Sequence, residues 1–451
     1  MKRTWMQFFR SEEGSVIPLV GFAFLVLVGS VGLAIDISRR ELAQAKLSSA
    51  LDAAGLAAGS TVNTTNLTTE VNKYFYANYP VGYLGTSVTS LTAVVSANNT
   101  IINLTADGTL PTTFGKVFGV MTMPLHAESE ITRSTKGMEL VLVMDNTGSM
   151  GDNNKLEDMK TAAKSLVDIL YGSDNTVDDL WVGVVPFSQT VNIGSSHTSW
   201  MNTSYMNGLA WGPTSWGGCV DARYTGRDVN DDPPASEKFK AYYWPDDSNN
   251  DWIRTNGQYR TVSSTLGPNK NCPEPVLPMV AEKSTVKASI DAMEARGNTH
   301  VGYGAVWGWR MLSPRWRGLW GGQMNTNSLP LDYNTPLMNK AVVILTDGMN
   351  TMDNTSRTAY WYLSNGRLGS TNQSNAVTAL NNKLSSVCTS MKSHGIIIYT
   401  VAFDNPGSSI ETLLQNCASD PSYYFDSPTG SDLQQAFRVI GDSLSNLRIS
   451  H

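Results

Sequence analysis

The chain carries few charged residues and has no block of basic ones. Of its 451 residues, 16% are Asp, Glu, Lys or Arg, the formal net charge is -6 and the pI is near 5.5. Binding to nucleic acid without sequence preference needs a basic face for the phosphates. The composition therefore excludes nucleic acid as an expected partner, and the length favours more than one domain.

Cysteine is also scarce: there are four, and no two have the C-x-x-C spacing of a zinc site. Cys219 and Cys272 bracket most of a long insertion, whereas Cys388 and Cys417 lie late in two predicted helices that flank one strand. Two local disulfides, Cys219–Cys272 and Cys388–Cys417, are the simplest interpretation, and they would place most of the chain in an oxidising compartment. Four buried free thiols are the alternative.

A single hydrophobic run has the length and composition of a membrane span. Ser15–Ile35 contains no charge and is close to the ~20 residues that a spanning helix needs. A cleaved signal peptide is the alternative, since basic residues precede the run. The run is long for a signal core, however, and no small-x-small cleavage site precedes Arg39. The sequence therefore predicts a cytoplasmic tail over 1–14 and an uncleaved transmembrane helix over 15–36.

The orientation of this span does not follow from its flanking charges. Basic residues lie on both sides, so the positive-inside rule does not decide between the two orientations. Long domains translocate largely regardless of flanking charge, and everything large follows the span. Together with the expected disulfides, this predicts that the chain from residue 37 onward lies outside the cytoplasm.

The segment after the span is expected to contain a helix and then a stalk. Residues 37–60 continue the helical pattern and are rich in Ala, Gly and Ser. Either this helix simply extends from the bilayer, or its small residues allow close packing against a sister helix. Residues 61–136 predict a small β-rich stalk domain that lifts the next domain off the membrane. Its predicted strands are Ser87–Val95, Ile101–Ala106 and Leu125–Thr132, the first two joined by an Asn98-Asn99 turn.

This N-terminal region resembles a known family. Glu13-Gly14-Ser15, the apolar span and the run Ala50–Ala58 are similar to the start of TadE/TadG-like proteins of tight-adherence (Flp) pilus systems. The resemblance implies a single-pass protein of the inner (cytoplasmic) membrane with its main domain in the periplasm. It also implies partners among other pilus-assembly or pilin-like membrane proteins. The place five residues after Gly14 holds Leu19, where prepilins have Glu, which argues against processing by a prepilin peptidase.

From Gly137 onward, buried strand patterns alternate with helical ones. This alternation predicts an α/β domain over 137–451 with a doubly wound, mostly parallel sheet. An insertion at about 194–275 interrupts the pattern, and insertions of this length usually have a function or a small fold of their own. Its tryptophans are expected to form a private core, with a binding surface as the alternative. They are Trp200, Trp211, Trp216, Trp244 and Trp252.

The first strand of this domain ends in a group of oxygen-bearing side chains. Leu140–Met144 is an unbroken apolar run, typical of a parallel strand buried on both faces. Asp145, Thr147 and Ser149 follow at alternate positions, and in an extended turn alternate side chains point the same way. The three can therefore converge on one point. Oxygen ligands of this kind suit a hard cation such as Mg²⁺ better than Zn²⁺.

Two later loops are expected at the same edge of the sheet. Thr299 precedes a predicted helix rich in small residues, and Asp347 directly follows the buried strand Ala341–Thr346. In an open α/β sheet, ligands gather outside the carboxyl ends of the strands. The side chains of Thr299 and Asp347 are therefore expected near the first loop.

The combined pattern resembles the metal-ion-dependent adhesion site of von Willebrand factor A domains. Its members here are Asp145, Thr147, Ser149, Thr299 and Asp347, and the family more often has Ser where Thr147 stands. The resemblance implies a von Willebrand factor A or Rossmann-like fold with bound Mg²⁺, Mn²⁺ or Ca²⁺. It also implies an open coordination position that an acidic residue of a protein partner fills.

A serine hydrolase of the α/β type is the alternative from another class. Gly148-Ser149-Met150-Gly151 lies between strand and helix, where the nucleophile elbow of such enzymes belongs. Thr147 occupies a place that needs Gly, however, and no His follows a late strand as the triad base should. His300 is expected as a side chain on the rim of the site. We therefore expect binding rather than catalysis.

The sequence thus predicts a membrane-anchored, extracytoplasmic binding or scaffold protein of a tight-adherence pilus-assembly system. Family analogy supplies the biological system, whereas the residues themselves supply an anchor and a metal-binding α/β domain. An envelope protein with an A-type domain and no connection to pili is the remaining alternative.

Overall fold

The computed structural model describes residues 16–59, 67–96, 101–132, 136–224 and 226–448. The chain divides into two compact units, Met1–Thr135 and Lys136–His451. Each unit has a hydrophobic core of its own. The predicted tail over 1–14 and the predicted Asn98-Asn99 turn lie outside the described residues.

The described part of the first unit starts with one continuous helix, α1 (Val16–Gly59). Its most apolar window has a mean hydropathy of 2.5, and only 6% of that window is buried. Within the described ranges it is the one helix long and apolar enough to cross a membrane. Exposed apolar surface of this extent needs an apolar surrounding. The helix is therefore a candidate single-pass membrane anchor.

The second half of α1 packs against a sheet in the same unit. A Cβ on Gly55 would lie 2.6 Å from Ile131 Cγ1, so only a small residue allows this close approach. Ala50 and Ala54 on the same stripe are fully buried. The small residues therefore serve packing within the unit. The elements involved are α2 (Leu67–Asn78) and the antiparallel strands β1 (Ser87–Val95), β2 (Ile101–Pro111) and β3 (Thr122–Thr132), in the order β1-β2-β3.

The second unit is built on a mixed sheet of eight strands. These are β4 (Gly137–Asp145), β5 (Leu180–Phe187), β6 (Val191–Asn192), β7 (Cys219–Val220), β8 (Leu277–Val280), β9 (Met338–Thr346), β10 (Ile397–Phe403) and β11 (Tyr424–Ser427). The strand order is β11-β10-β9-β4-β5-β6-β7, and β8 pairs with β5. All pairings from β5 through β4, β9 and β10 to β11 are parallel, whereas β6, β7 and β8 pair antiparallel. The prediction of an α/β fold with a mostly parallel sheet is confirmed.

Strand β4 shows why helices cover both faces of this sheet. Successive side chains of a strand point to opposite faces. Leu140 and Leu142 therefore enter one core, while Val141 and Val143 enter the other, and all four are fully buried. The helices are α3 (Lys155–Tyr171), α4 (Thr203–Asn207), α5 (Lys283–Asp291), α6 (Val301–Leu312), α7 (Gly322–Thr326), α8 (Gln373–Ser393), α9 (Ser408–Cys417) and α10 (Gly430–Arg448). Of these, α3, α5 and α10 cover the first face, and α6, α8 and α9 cover the second.

Helix α6 lies unusually close to the strands because two glycines face them. A Cβ on Gly304 would lie 2.6 Å from the ring of Phe187, and one on Gly308 would lie 2.6 Å from Val143 Cγ2. The close packing brings the N-terminal end of α6 to the edge where β4 and β5 end. The loop that carries Thr299 is positioned in this way.

The sequence pattern predicted a private core for the tryptophans of the insertion, and the structure shows this only in part. The ring of Trp200 lies 5.2 Å from that of Trp316 and 5.1 Å from that of Trp320, both outside the insertion. Trp244 instead packs beside the disulfide Cys219–Cys272 in a small separate cluster. The insertion is therefore fused to the main core on one side, because α6 and the segment after it offer aromatic surface there.

Hydrogen bonds mark the ends of two helices. Helix α5 ends at Asp291, and beyond it the backbone N–H of Arg296 donates to the Asn146 carbonyl at 2.7 Å. At the start of α10, the Asp432 N–H donates to Thr429 Oγ1 at 3.3 Å. Thr429 therefore caps the last helix.

Both predicted disulfides are present. The Cα atoms of Cys219 and Cys272 are 5.8 Å apart, and those of Cys388 and Cys417 are 5.2 Å apart. The first bond joins two parts of the insertion, β7 and the segment before β8, and the second joins α8 to α9. Each closes a loop within the second unit, which restricts the unfolded chain.

We expect non-reducing peptide mapping of protein from its native membrane to recover Cys219–Cys272 and Cys388–Cys417. Mapping after reduction and alkylation is the control, since the two linked peptides should then separate. Free thiols at all four positions would contradict both the pairing and an oxidising location.

Candidate metal centre

Three loops meet at the carboxyl ends of the central strands. The loop after β4 is held to the loop before α6 by two backbone hydrogen bonds: the Gly148 N–H donates to the Gly297 carbonyl at 2.9 Å, and the Arg296 N–H donates to the Asn146 carbonyl at 2.7 Å. Gly297 has a φ of 78°, in the left-handed region that favours glycine. Backbone contacts therefore set the spacing of these two loops before any ligand is considered.

The third loop, after β9, is tied to the same place. The Thr299 N–H donates to Thr351 Oγ1 at 3.0 Å, and the Thr351 N–H donates to the Thr299 carbonyl at 3.0 Å. This reciprocal pair holds Thr299, two residues before α6, against the segment that follows Asp347. All three predicted loops are thus joined by hydrogen bonds.

Four of the five predicted site residues form one hydrogen-bonded chain. Asp145 Oδ1 accepts from the Thr147 N–H at 2.8 Å, and the hydroxyls of Thr147 and Ser149 lie 3.1 Å apart. Ser149 Oγ then donates to Asp347 Oδ1 at 2.7 Å, across 198 residues of sequence. The fifth residue, Thr299, faces the same gap: a Cβ built on Gly348 would lie 3.9 Å from both Ser149 Oγ and Thr299 Oγ1.

The two carboxylates of the group are removed from water. Asp145 is fully buried, and the side chain of Asp347 is 0% exposed. Burial, and next the charge of Asp347, raises the pKa of Asp145 to about 7. Each of these effects opposes negative charge on Asp145, so the pair favours a nearby cation.

A lysine supplies the positive charge in this structure. Lys155 Nζ lies 2.7 Å from Asp347 Oδ2 and 3.1 Å from Asp404 Oδ2. Burial opposes its charge, but the hydrogen bond to Asp347 and that carboxylate's charge outweigh burial, and the pKa of Lys155 is raised. The group therefore contains three carboxylates and one ammonium, so its negative groups outnumber its positive one and a further cation would be attracted.

Sequence reasoning missed three members of this site. Thr346 Oγ1 donates to Asp145 Oδ2 at 2.6 Å and so fixes the second oxygen of that carboxylate. Lys155 and Asp404 form the ion pairs described above. Asp404 directly follows β10, so the rule that ligands gather at strand ends could have included it. Lys155 carried no comparable signal, because a lysine at a helix start is ordinarily a solvent-exposed residue.

The prediction that His300 lies on the rim is wrong. His300 is fully buried at the start of α6, and its Nε2 lies 3.0 Å from the Thr351 carbonyl oxygen. Burial lowers its pKa to about 4, so the ring is neutral and Nε2 carries the proton. The residue serves the packing of α6 against the loop that also holds Thr299.

The donor set fits a hard divalent cation. Its members offer two carboxylates and three hydroxyls, and oxygen donors of this kind suit Mg²⁺, Mn²⁺ or Ca²⁺. Among the residues the structure describes, no group of three or more His, Cys, Asp or Glu side chains is placed to hold a metal. A cation here would therefore depend on the hydroxyls of Thr147, Ser149 and Thr299.

One family model matches the N-terminal region. Residues 14–61 match the family model "Tad: Putative Flp pilus-assembly TadE/G-like". The N-terminal region is thus TadE/G-like, as its residues suggested. A comparison with curated proteins gives no match to this chain.

Several solved structures are similar to the chain at low scores. The pilus adhesin SpaC of Lactobacillus rhamnosus GG has a TM-score of 0.37 and 12% identity, over 80% of this chain and 35% of SpaC. The von Willebrand factor domain of the type V pilus tip protein Mfa5 of Porphyromonas gingivalis has a TM-score of 0.37 and 11% identity, over 70% of this chain and 97% of that domain. Proximal thread matrix protein 1 of the mussel byssus, with zinc in its adhesion-site motif, has a TM-score of 0.35 and 16% identity, over 69% of this chain and 48% of the byssus protein. The chain thus spans about a third of SpaC and half of the byssus protein, and no residue role follows from likenesses this weak.

Replacing Lys155 by Met tests the electrostatics of the site. The change removes the ammonium but keeps most of the side-chain volume, so it leaves Asp347 and Asp404 without the cation that they share. Removing one partner of a buried ion pair costs about 3 kcal/mol or more, and we expect the melting temperature in chelator to fall accordingly. Differential scanning calorimetry of the full chain in detergent measures this.

Lys164→Met is the matched control, since Lys164 lies on the same helix and forms a more exposed ion pair with Asp291 at 2.5 Å. Exposed pairs contribute between nothing and about 1 kcal/mol, so this variant should melt close to wild type. Equal melting temperatures for the two variants would show that Lys155 does not balance the buried carboxylates.

Proposed function

We propose that this chain is a membrane-anchored, extracytoplasmic binding or scaffold protein of a tight-adherence pilus-assembly system. Its α/β unit holds Mg²⁺, or Mn²⁺ or Ca²⁺ in its place, through Asp145, Thr147, Ser149, Thr299 and Asp347. The bound cation then takes a carboxylate from a protein partner. Other tight-adherence pilus-assembly proteins or pilin-like membrane proteins are the proposed partners.

The observation that carries the binding role is the Ser149–Asp347 hydrogen bond of 2.7 Å. It joins the ends of two central strands and places two carboxylates and two hydroxyls in one contact chain. A hard cation takes six or more oxygen ligands, so five side chains leave at least one position open. Filling that position with a carboxylate makes the contact dependent on the metal and selective for acidic partners.

The pilus system is proposed from the N-terminal region. Residues 14–61 match the TadE/G-like model, and α1 combines an exposed apolar half with a half packed against its own sheet. These features support a single-pass protein in the inner membrane. The two disulfides support an extracytoplasmic position for the second unit.

The partners of Ser149 favour binding over the alternative of a serine hydrolase. Its hydroxyl donates to Asp347 and lies beside the Thr147 hydroxyl, whereas a nucleophilic serine would be hydrogen bonded to an imidazole. The histidine nearest in sequence to the site residues, His300, is buried and bonded to the Thr351 carbonyl. We therefore propose a site without a catalytic role.

Asp145→Asn tests the metal site while keeping the side chain's volume. Wild-type protein should melt at a higher temperature in millimolar Mg²⁺ than in chelator, since a ligand at 100 times its Kd stabilises by about 2.7 kcal/mol. The amide oxygen of the substituted side chain can still accept from the Thr147 N–H, but the lost charge should abolish the Mg²⁺-dependent shift. Thermal melts of the full chain in detergent, repeated with Mn²⁺ and Ca²⁺, give the measurement.

Asp152→Asn is the matched control for this variant. Asp152 is exposed, belongs to the same loop and lies outside the proposed ligand set. It should keep the full Mg²⁺-dependent shift. A wild-type protein that shows no shift with any of the three cations would refute the proposed site.

The topology of the chain is tested by labelling one new cysteine at a time. Ser173→Cys lies in an exposed turn of the second unit, and Gln7→Cys lies in the predicted cytoplasmic tail. The four native cysteines are paired and should not react. In intact spheroplasts a membrane-impermeant maleimide should label the new thiol at position 173 at once and the one at position 7 only after lysis.

The reverse pattern would place the second unit in the cytoplasm. A role in an extracytoplasmic pilus machine would then be untenable. A cytoplasmic metal-dependent scaffold would become the better description of the chain.

A further inference from the structure

The connection between β2 and β3 exposes a cluster of apolar side chains. Val117 is 82% exposed, Met121 is 61% exposed and Phe118 is 56% exposed, and Phe114 and Val120 are exposed as well. The sequence from Gly108 to Leu125 contains a single charge, on Lys116. A contiguous apolar surface of this kind on a folded unit marks a site that an apolar partner covers.

This connection is held rigidly against α1. The carboxylate of Asp36 accepts three backbone N–H groups, from Thr113, Phe114 and Gly115, each at 2.8 Å. Asp36 is 1% exposed, so the three bonds are made in a site shielded from water. Arg39 adds a hydrogen bond to Thr113 Oγ1 at 2.6 Å. The connection therefore has a defined position along the helix.

From this fixed point the connection runs alongside the apolar half of α1. A Cβ on Gly32 would lie 2.7 Å from Phe114 Cγ, and one on Gly29 would lie 3.0 Å from Phe118 Cζ. The two glycines thus form a groove that receives the two rings. Gly29 precedes Asp36 by seven residues, which is about 10 Å along a helix. Phe118 therefore lies beside the uncharged N-terminal half of α1, well before Asp36.

We propose that residues 114–121 insert into the hydrocarbon of the same bilayer that α1 crosses, as a second, shallow membrane contact of the first unit. The inference rests on the proposed anchor. Its occupant is lipid, because the rings of Phe114 and Phe118 lie against Gly32 and Gly29, whose chain neighbours Val31 and Val28 are exposed on the apolar half of α1. Lys116 is the one charge present, and its long side chain can carry the ammonium back to the headgroups.

Such a contact has a structural consequence for the first unit. A lone helix can tilt and rotate in a bilayer, since its orientation is set by packing and by interfacial anchors. Two contacts joined through Asp36 define both rotation and tilt. The sheet β1-β2-β3 is then presented at one fixed angle to the membrane surface.

The test uses the full chain in phosphatidylcholine nanodiscs, with one new cysteine per variant carrying an environment-sensitive fluorophore. Val117→Cys and Phe118→Cys probe the connection, and Val117 is exposed enough for the change to leave the fold intact. Val94→Cys is the water-exposed control, since Val94 is 60% exposed on β1 and pairs with Asn103, near the start of β2. Phe24→Cys, within the apolar half of α1, is the control for the anchor.

Lipid carrying a doxyl group on its acyl chain should quench the labels at 117 and 118 by about twofold or more, since both would lie inside the ~30 Å hydrocarbon core, and should leave the label at 94 unchanged. Quenching at 24 but not at 117 or 118 would overturn this inference and leave the anchor standing. Absence of quenching at 24 would overturn the proposed anchor itself, and this inference with it.

Discussion

Two buried carboxylates on neighbouring strands are the constraint on which the second unit depends. Asp145 ends β4 and Asp347 follows β9, and burial together with the charge of Asp347 opposes negative charge on Asp145. Thr346 and Ser149 donate hydrogen bonds to these carboxylates, and Lys155 forms an ion pair with Asp347. A core of apolar residues alone would be more stable, and the proposed cation site offers a reason for keeping the carboxylates.

The same requirement organises the surroundings of the site. Backbone hydrogen bonds join the three loops, so the donors are positioned without relying on a bound ion. Gly304 and Gly308 let α6 approach the sheet, which brings Thr299 to the common edge. A site that is held in place by rigid elements loses little conformational entropy when it binds.

A buried carboxylate also organises the first unit. One buried carboxylate, Asp36, accepts three backbone N–H groups and so fixes an apolar connection beside the span of α1. Small residues serve both halves of that helix, Gly29 and Gly32 toward aromatic rings and Gly55 toward Ile131. The hydrogen bonds from backbone N–H groups to Asp36, together with close apolar packing at the three glycines, hold the helix to the rest of the unit.

The sequence by itself determined the elements whose signal is local. The apolar span, the alternation of buried strands with helices, and the turn with Asp145, Thr147 and Ser149 each lie in a short stretch of chain, where the side-chain period reveals the element. Thr299 and Asp347 were expected at the same edge from the rule that ligands gather at the carboxyl ends of strands. Only the tertiary structure decided the features that form where distant segments of the chain come together. Lys155 and Asp404 join the site, His300 is buried, and the insertion shares its aromatic core, because burial and charge balance are set by neighbours far away in the chain.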